Sequence, residues 1–202
     1  MEKIVYVTGN YGKYCGVKRH FEEEKLDIDF FKCDLEEPDI NDIEVISHAK
    51  AEEAFSILGK PCFVADSGFY IDEYPGNPGY PGAFVKRSGV SSDIDSLLNT
   101  LKDVTNRTCR FVDCLTFYDG EDFHTFYGIC EGVLTREKRG NNMGQAKSNL
   151  WYVFIPNNCT KTLAEMTEYE RTHRNDGSTS ATKEFISWYK KNCLESKTLI
   201  KK

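Results

Sequence analysis

The sequence is informative first through what it leaves out. No stretch approaches the roughly 20 consecutive apolar residues that a membrane-spanning helix needs, and the start Met1-Glu2-Lys3 lacks the apolar run of a secretory signal. Those absences lead to the expectation of a cytoplasmic protein without a membrane partner. Positive charge is not in excess either: 26 Lys and Arg face 32 Asp and Glu, for a formal net charge of −6. That balance argues against binding of polymeric nucleic acid, while leaving room for a local cationic pocket. Eight cysteines are present without one Cys-x-x-Cys pair. Most lie in or beside apolar segments, which favours reduced core thiols over a disulfide framework or a zinc site. Internal repeats, coiled-coil heptads and low-complexity tracts are missing as well.

What remains is a chain of 202 residues, 40% apolar and 29% charged, long enough to bury a full core. Ile4-Val5-Tyr6-Val7 reads as a buried strand, residues 13–26 as a helix, and Ile28–Phe31 as a second strand. Asp34-Leu35-Glu36-Glu37-Pro38 is an acidic connection, followed by a helix over 42–58 with Ile43, Ile46, Ala49, Ala54, Phe55 and Leu58 at helical spacing. Pro61–Ala65 is a short buried strand that ends in a sharp turn at Asp66-Ser67-Gly68. The Pro/Gly-rich segment 75–82 is irregular, Asp93–Leu101 is a short helix, and Cys109–Tyr118 and Phe123–Val133 are long strands joined around Asp119-Gly120. A polar loop over 136–149, an extended Trp151–Ile155, one or two helical turns at 162–166 and a helix at Ser180–Lys191 complete the chain. The alternation of strands and helices predicts a mixed α/β protein. We expect one domain with two lobes over residues 1–194 and a flexible tail over 195–202.

Chemistry concentrates at Thr8-Gly9-Asn10-Tyr11-Gly12-Lys13, directly behind the first strand. A β-branched run delivering Gly, Asn, Gly and Lys to the carboxyl end of a sheet suits a phosphate. Thr8 and Asn10 can donate hydrogen bonds, Gly9 and Gly12 permit close backbone approach, and Lys13 brings positive charge to the start of a helix. It is not a Walker loop, because Tyr14 follows Gly12-Lys13. Asp66 should face the same sheet edge, where its carboxylate can orient a water or hold Mg²⁺ against phosphate oxygens, with Ser67 and Gly68 keeping the backbone open beside it. Glu36 and Glu37 can complete a divalent-ion site, since Mg²⁺ favours oxygen ligands. Lys86, Arg139 and His173-Arg174 supply the basic counterpart, and aromatic and small residues from Gly76 to Phe84 can line a base pocket. Each of these also has an ordinary structural role open to it, as a turn, a cap or a surface charge.

Taken together, Thr8-Gly9-Asn10…Lys13, Asp34-Leu35…Glu37, Phe63-Val64-Ala65-Asp66-Ser67-Gly68, the Pro78-Gly79 and Pro81-Gly82 loop, Lys86, Arg139-Gly140, Ala164-Glu165-Met166 and His173-Arg174 resemble the Ham1/ITPase family of nucleoside triphosphate pyrophosphatases. The resemblance spans about residues 3–189. It implies a mixed, elongated central sheet flanked by helices, two lobes around a nucleotide cleft, and a homodimer. It also implies Mg²⁺-dependent hydrolysis between the α and β phosphates of ITP, dITP or XTP, giving monophosphate and pyrophosphate. By that resemblance Thr8, Gly9, Asn10, Lys13, Ser67, Gly68 and Lys86 contact the substrate, Glu37 and Asp66 hold the metal, Asp66 and Lys13 serve catalysis, and His173 and Arg174 face the purine.

Three departures from the family pattern stand out. Ala65 occupies the place of a second acidic residue before Asp66. The usual Phe-Gly-Trp/Tyr-Asp segment has become Ser148-Asn149-Leu150-Trp151, with Trp151 as the substitute aromatic. A polar insertion, Asn175–Ser180, follows His173-Arg174 directly. Two alternatives therefore accompany the enzyme: a non-catalytic nucleotide-binding or regulatory protein, and a hydrolase of shifted nucleotide specificity.

Overall fold

The computed structural model describes residues 3–141 and 148–195. These form two compact units. The first comprises the described residues up to Asp66, Asp113–Gly128 and those from Ser180 onward; the second comprises Ser67–Val112 and Ile129–Thr179.

The first unit is built on β1 (Ile4–Val7), whose four residues are all buried, as a parallel strand covered on both faces must be. It pairs in parallel with β2 (Ile28–Phe31) on one side and with the start of β3 (Cys62–Ile71) on the other, Tyr6 lying opposite both Phe30 and Phe63. Alternation along the strand then sends side chains to two cores. Ile4 and Tyr6 pack with Phe63, with Val17 and Phe21 of α1 (Tyr11–Glu23), and with Ala181, Phe185 and Ile186 of the carboxyl-terminal helix Ala181–Tyr189. Val5 and Val7 pack with Cys62 and Val64 and with Ala51 and Ala54 of α2 (Ile43–Leu58). Stacking of the Tyr6 and Phe63 rings, 4.7 Å between centroids, adds about 0.5–1.5 kcal/mol beyond the area they bury. Helix α2 starts at Asp42, whose carboxylate accepts from the Glu44 and Val45 amides, and stops at Gly59, whose φ of 63° suits a residue without a side chain.

In the second unit the far end of β3 pairs with β4 (Pro81–Gly82), followed by α3 (Ile94–Thr100). Strands β5 (Thr108–Tyr118) and β6 (Phe123–Leu134) each give residues to both units, and β6 pairs antiparallel with β7 (Phe154–Pro156). Phe69, Ile71, Leu97, Leu101, Leu134, Leu150 and Phe154 form the core of this unit. The buried Arg107 donates to the carbonyls of Leu101, Leu134 and Thr135, tying α3 to the ends of the strands. Helix α4 (Glu168–His173) follows, and Ala181–Tyr189 is α5. Among the described residues the strand order is β2-β1-β3-β5-β6-β7, with β4 on β3. The result is a mixed central sheet flanked by helices, the class expected from the sequence.

Several boundaries differ from expectation. Strand β3 does not turn at Asp66-Ser67-Gly68 but runs on to Ile71. Gly68 serves contact rather than a turn: a Cβ there would lie 2.8 Å from the Tyr70 ring and 3.1 Å from the Gly82 carbonyl oxygen. Asn149–Tyr152 is a 3-10 turn where an extended segment was expected, and β7 begins only at Phe154. Helix α4 was not anticipated. At the carboxyl end, Glu195 still belongs to a π-helical turn, Lys190–Glu195, while residues 196–202 of the expected tail lie outside the described residues.

Candidate functional site

In the first unit, the turn after β1 is held by its own side chains. The Asn10 amide donates to the Thr8 hydroxyl at 3.1 Å, and the Lys13 amide donates to Asn10 Oδ1, also at 3.1 Å, which caps α1. The cap occupies the side-chain oxygen of Asn10 and leaves its NH₂ as the donor offered by that residue. Gly9 is required by proximity, since a Cβ on it would fall 1.8 Å from Asp34 Oδ1. Lys13 extends from α1 to the carbonyl oxygen of Ala65, 3.2 Å away, which places its ammonium beside Asp66 on the backbone of β3.

The centre of this arrangement is Lys50, which sequence reasoning missed. Its ammonium donates to Glu37 Oε1 at 2.6 Å and to Asp66 Oδ1 at 2.8 Å, bringing together two carboxylates from separate segments. Its side chain is only 12% exposed, and that of Asp66 only 14%. Burial by itself lowers the pKa of the Lys50 ammonium, but Asp66 and then Glu37 more than offset that, so it stands above its ordinary value. One turn further along α2, Glu53 accepts the backbone amide of Glu36 at 2.8 Å. Two α2 side chains thus hold the acidic connection in place. A signal for Lys50 existed in the sequence: Ile43, Ser47, Lys50 and Ala54 fall on one helical stripe whose other three members are buried.

Asp66 has a second feature. Its Oδ2 atom is buried and makes no hydrogen bond. An orphaned carboxylate oxygen beside a partner that already gathers Glu37 is a donor set of the hard-oxygen kind that Mg²⁺ takes. Among the described residues no group of three or more His, Cys, Asp or Glu is placed to hold a metal ion, and Glu37 and Asp66 are the two carboxylates that meet at Lys50. That suits an ion which completes its shell with phosphate oxygens and water. Glu37 and Asp66 therefore fit Mg²⁺ as partial ligands.

The other sequence-derived candidates belong to the second unit. Ser67 is exposed on β3 and Lys86 is exposed in the turn region after β4. Trp151 lies in the 3-10 turn, with the Arg171 guanidinium 5.3 Å from its ring. His173 ends α4, stacked on Tyr169 at 4.1 Å and 3.0 Å from the Tyr169 carbonyl oxygen. Arg139 pairs with Glu165 at 3.1 Å, and the backbone at Gly140 runs so close to Ala164-Glu165 that a Cβ would lie 2.7 Å away.

Arg174 is engaged throughout its guanidinium. Nε donates to Asp176, Nη1 to the Arg171 carbonyl, and Nη2 to the Cys130 sulfur at 3.7 Å. The Asp176 side chain is 2% exposed. Burial raises its pKa, but hydrogen bonds from Ser178 and Arg174 outweigh burial and leave it below its ordinary value. Cys130, pushed up to about 11 by burial above all, stays a thiol. The insertion after Arg174 is an anchored connection: Thr179 and Ile129 exchange hydrogen bonds of 3.0 and 2.9 Å.

Comparison with known proteins follows the same lines. The Ham1 family model matches residues 4–188. A dITP/XTP pyrophosphatase of Saccharolobus solfataricus is 30% identical over 169 residues, covering 84% of each chain. An inosine triphosphate pyrophosphatase of Yarrowia lipolytica is 32% identical over 170 residues, covering 82% of this chain and 84% of its own. Among solved structures, a HAM1 protein of Coxiella burnetii superposes with a TM-score of 0.77 at 21% identity, covering 95% of this chain and all of that one.

Proposed function

We propose that this chain, which belongs to the Ham1 family, is a Mg²⁺-dependent nucleoside triphosphate pyrophosphatase. It cleaves the α–β phosphoanhydride of deaminated purine nucleotides such as ITP, dITP and XTP, releasing monophosphate and pyrophosphate. The observation that carries this reading is the convergence of Glu37 and Asp66 on Lys50, with Lys13 at the adjoining Ala65 carbonyl.

Phosphate oxygens are held by the Thr8 hydroxyl, the Asn10 NH₂ and the Lys13 ammonium. Asp66 orients the water that attacks the α-phosphorus and accepts its proton. Lys13 and Lys50 offset the charge that develops on the departing pyrophosphate. Glu37 and Asp66 would hold Mg²⁺, which when bound would supply neutralisation of phosphate charge.

Purified protein incubated with Mg²⁺ and a panel of standard and deaminated nucleoside triphosphates tests this. The expected result is monophosphate and pyrophosphate from ITP, dITP and XTP, abolished by EDTA. Binding without metal-dependent turnover across the panel would instead favour the non-catalytic reading. One observation favours a second reading, altered base preference: the Arg174 guanidinium is engaged by Asp176, Arg171 and Cys130. Equal turnover of ATP or GTP in the same panel would identify it.

A further inference from the structure

The end of α4 carries an aromatic pair that the core does not use. Helix α4 has no buried residue, and Tyr169, 70% exposed, is stacked on His173 with 4.1 Å between ring centroids and 19° between the ring planes. A single exposed aromatic needs no explanation. Two rings one helical turn apart, held face to face, fix the plane of the imidazole. One of its nitrogens is fixed as well: His173 Nδ1 lies 3.0 Å from the Tyr169 carbonyl oxygen and 3.0 Å from Thr172 Oγ1.

Those contacts assign the tautomer. A carbonyl oxygen only accepts, so the favourable arrangement puts a proton on Nδ1 and donates it to Tyr169. The Thr172 hydroxyl agrees with this. Its own proton goes to the carbonyls of Glu168 and Tyr169, at 2.9 and 3.1 Å, which leaves Oγ1 as a second acceptor for the Nδ1 hydrogen. An imidazole with a single proton therefore carries it at Nδ1 and presents a bare lone pair at Nε2.

Such a lone pair separates bases. Hypoxanthine and xanthine carry a hydrogen on ring nitrogen N1, whereas adenine has a lone pair there. An acceptor facing N1 gains a hydrogen bond from the first two and meets lone-pair repulsion from the third. Reading the six-position oxygen would require a donor instead. On the base-facing role that the family resemblance gives His173, we propose that Tyr169 is a positioning residue for base selection: its ring and its carbonyl hold His173 so that Nε2 accepts the N1 hydrogen of a deaminated purine. The contact rejects adenine and leaves guanine, which also carries a hydrogen on N1, to other groups.

The test joins a spectroscopic signature to binding. Long-range proton–nitrogen correlation NMR of the wild-type protein should show His173 protonated at Nδ1 and bare at Nε2; a proton at Nε2 would overturn the inference. ITP, its N1-methyl analogue and pyrophosphate are then titrated calorimetrically, with EDTA present to prevent turnover, into the wild-type protein, Tyr169→Phe, Tyr169→Ala and His173→Ala. The wild type is expected to bind ITP about three- to tenfold more tightly than the N1-methyl analogue. That preference should persist in Tyr169→Phe, shrink in Tyr169→Ala and vanish in His173→Ala, with pyrophosphate binding at the wild-type level throughout. No preference in the wild type, an undiminished one in Tyr169→Ala, or one that survives in His173→Ala would each overturn the inference. So would pyrophosphate binding that falls together with ITP binding in Tyr169→Ala, since a merely structural role moves both. If His173→Ala binds ITP as the wild type does, the base-facing role of His173 itself falls, and the inference with it.

Discussion

The two units handle their cations in opposite ways. In the first, Lys13 and Lys50 both reach the middle of β3, at Ala65 and Asp66, and Lys50 gathers two carboxylates, one of which keeps a buried oxygen without a hydrogen bond. In the second, arginines act as clamps: Arg107 takes three carbonyls, Arg139 grips Glu165, and Arg174 divides its guanidinium among a buried carboxylate, a carbonyl and a thiol. An ammonium is a point charge on a flexible stem and changes partners readily, whereas a guanidinium fork is fixed by the geometry of its acceptors. The contrast separates the charges that the proposed reaction uses from charges that hold the unit together.

Five substitutions can break or sharpen that contrast. Asp66→Asn should have the largest effect, lowering kcat on ITP by about 10²- to 10⁴-fold while KM changes little, because it removes the proposed proton acceptor. Steady-state kinetics decide it, and unchanged metal-dependent turnover would remove Asp66 from the mechanism. In the other unit, Arg174→Ala strands a buried carboxylate and should cost about 3 kcal/mol, read as a lower denaturation midpoint. The acid side of the stability profile follows with a defined sign. Asp176 is depressed in the folded state, so its contribution is fully present above its unfolded value of about 3.9 and is lost as pH falls through the folded one. Asp176→Asn should therefore flatten that acid loss in a denaturation series across pH.

Lys50→Met should lower kcat by about 10- to 100-fold. It should also raise the Mg²⁺ concentration needed for half-maximal rate, since Glu37 and Asp66 lose the cation that gathers them. A metal titration that matches wild type would show that Lys50 only packs. The smallest effect is expected at Thr167→Ala, which removes the capping box of α4 and should cost about 1 kcal/mol in stability with kcat on ITP unchanged.

Much of the first unit was legible because its signals are local. Ile4–Val7, Ile28–Phe31 and the 42–58 helix announce themselves by apolar runs and spacing, and all three appear within a residue or so of expectation. Lys50 was not, because its role depends on partners 13 and 16 residues away along the chain. Asp66-Ser67-Gly68 read as a turn because Gly permits one, while here Gly permits the approach of Tyr70 and Gly82 to a continuing strand. Helix α4 has no buried residue and so no apolar stripe; only Thr167 and Glu170, at capping-box spacing, marked it. His173-Arg174 could be found by pattern, but no pattern shows that Arg174 is paired with the carboxylate two residues on.

The hold that α2 exerts on the acidic connection has a consequence for engineering and for divergence. Lys50 and Glu53 secure Glu37 and the Glu36 backbone from one turn of helix. The connection is therefore not a portable loop. Grafting a relative's version of it into this chain would have to carry positions 50 and 53 along, and lineages that alter one are expected to alter the other in step.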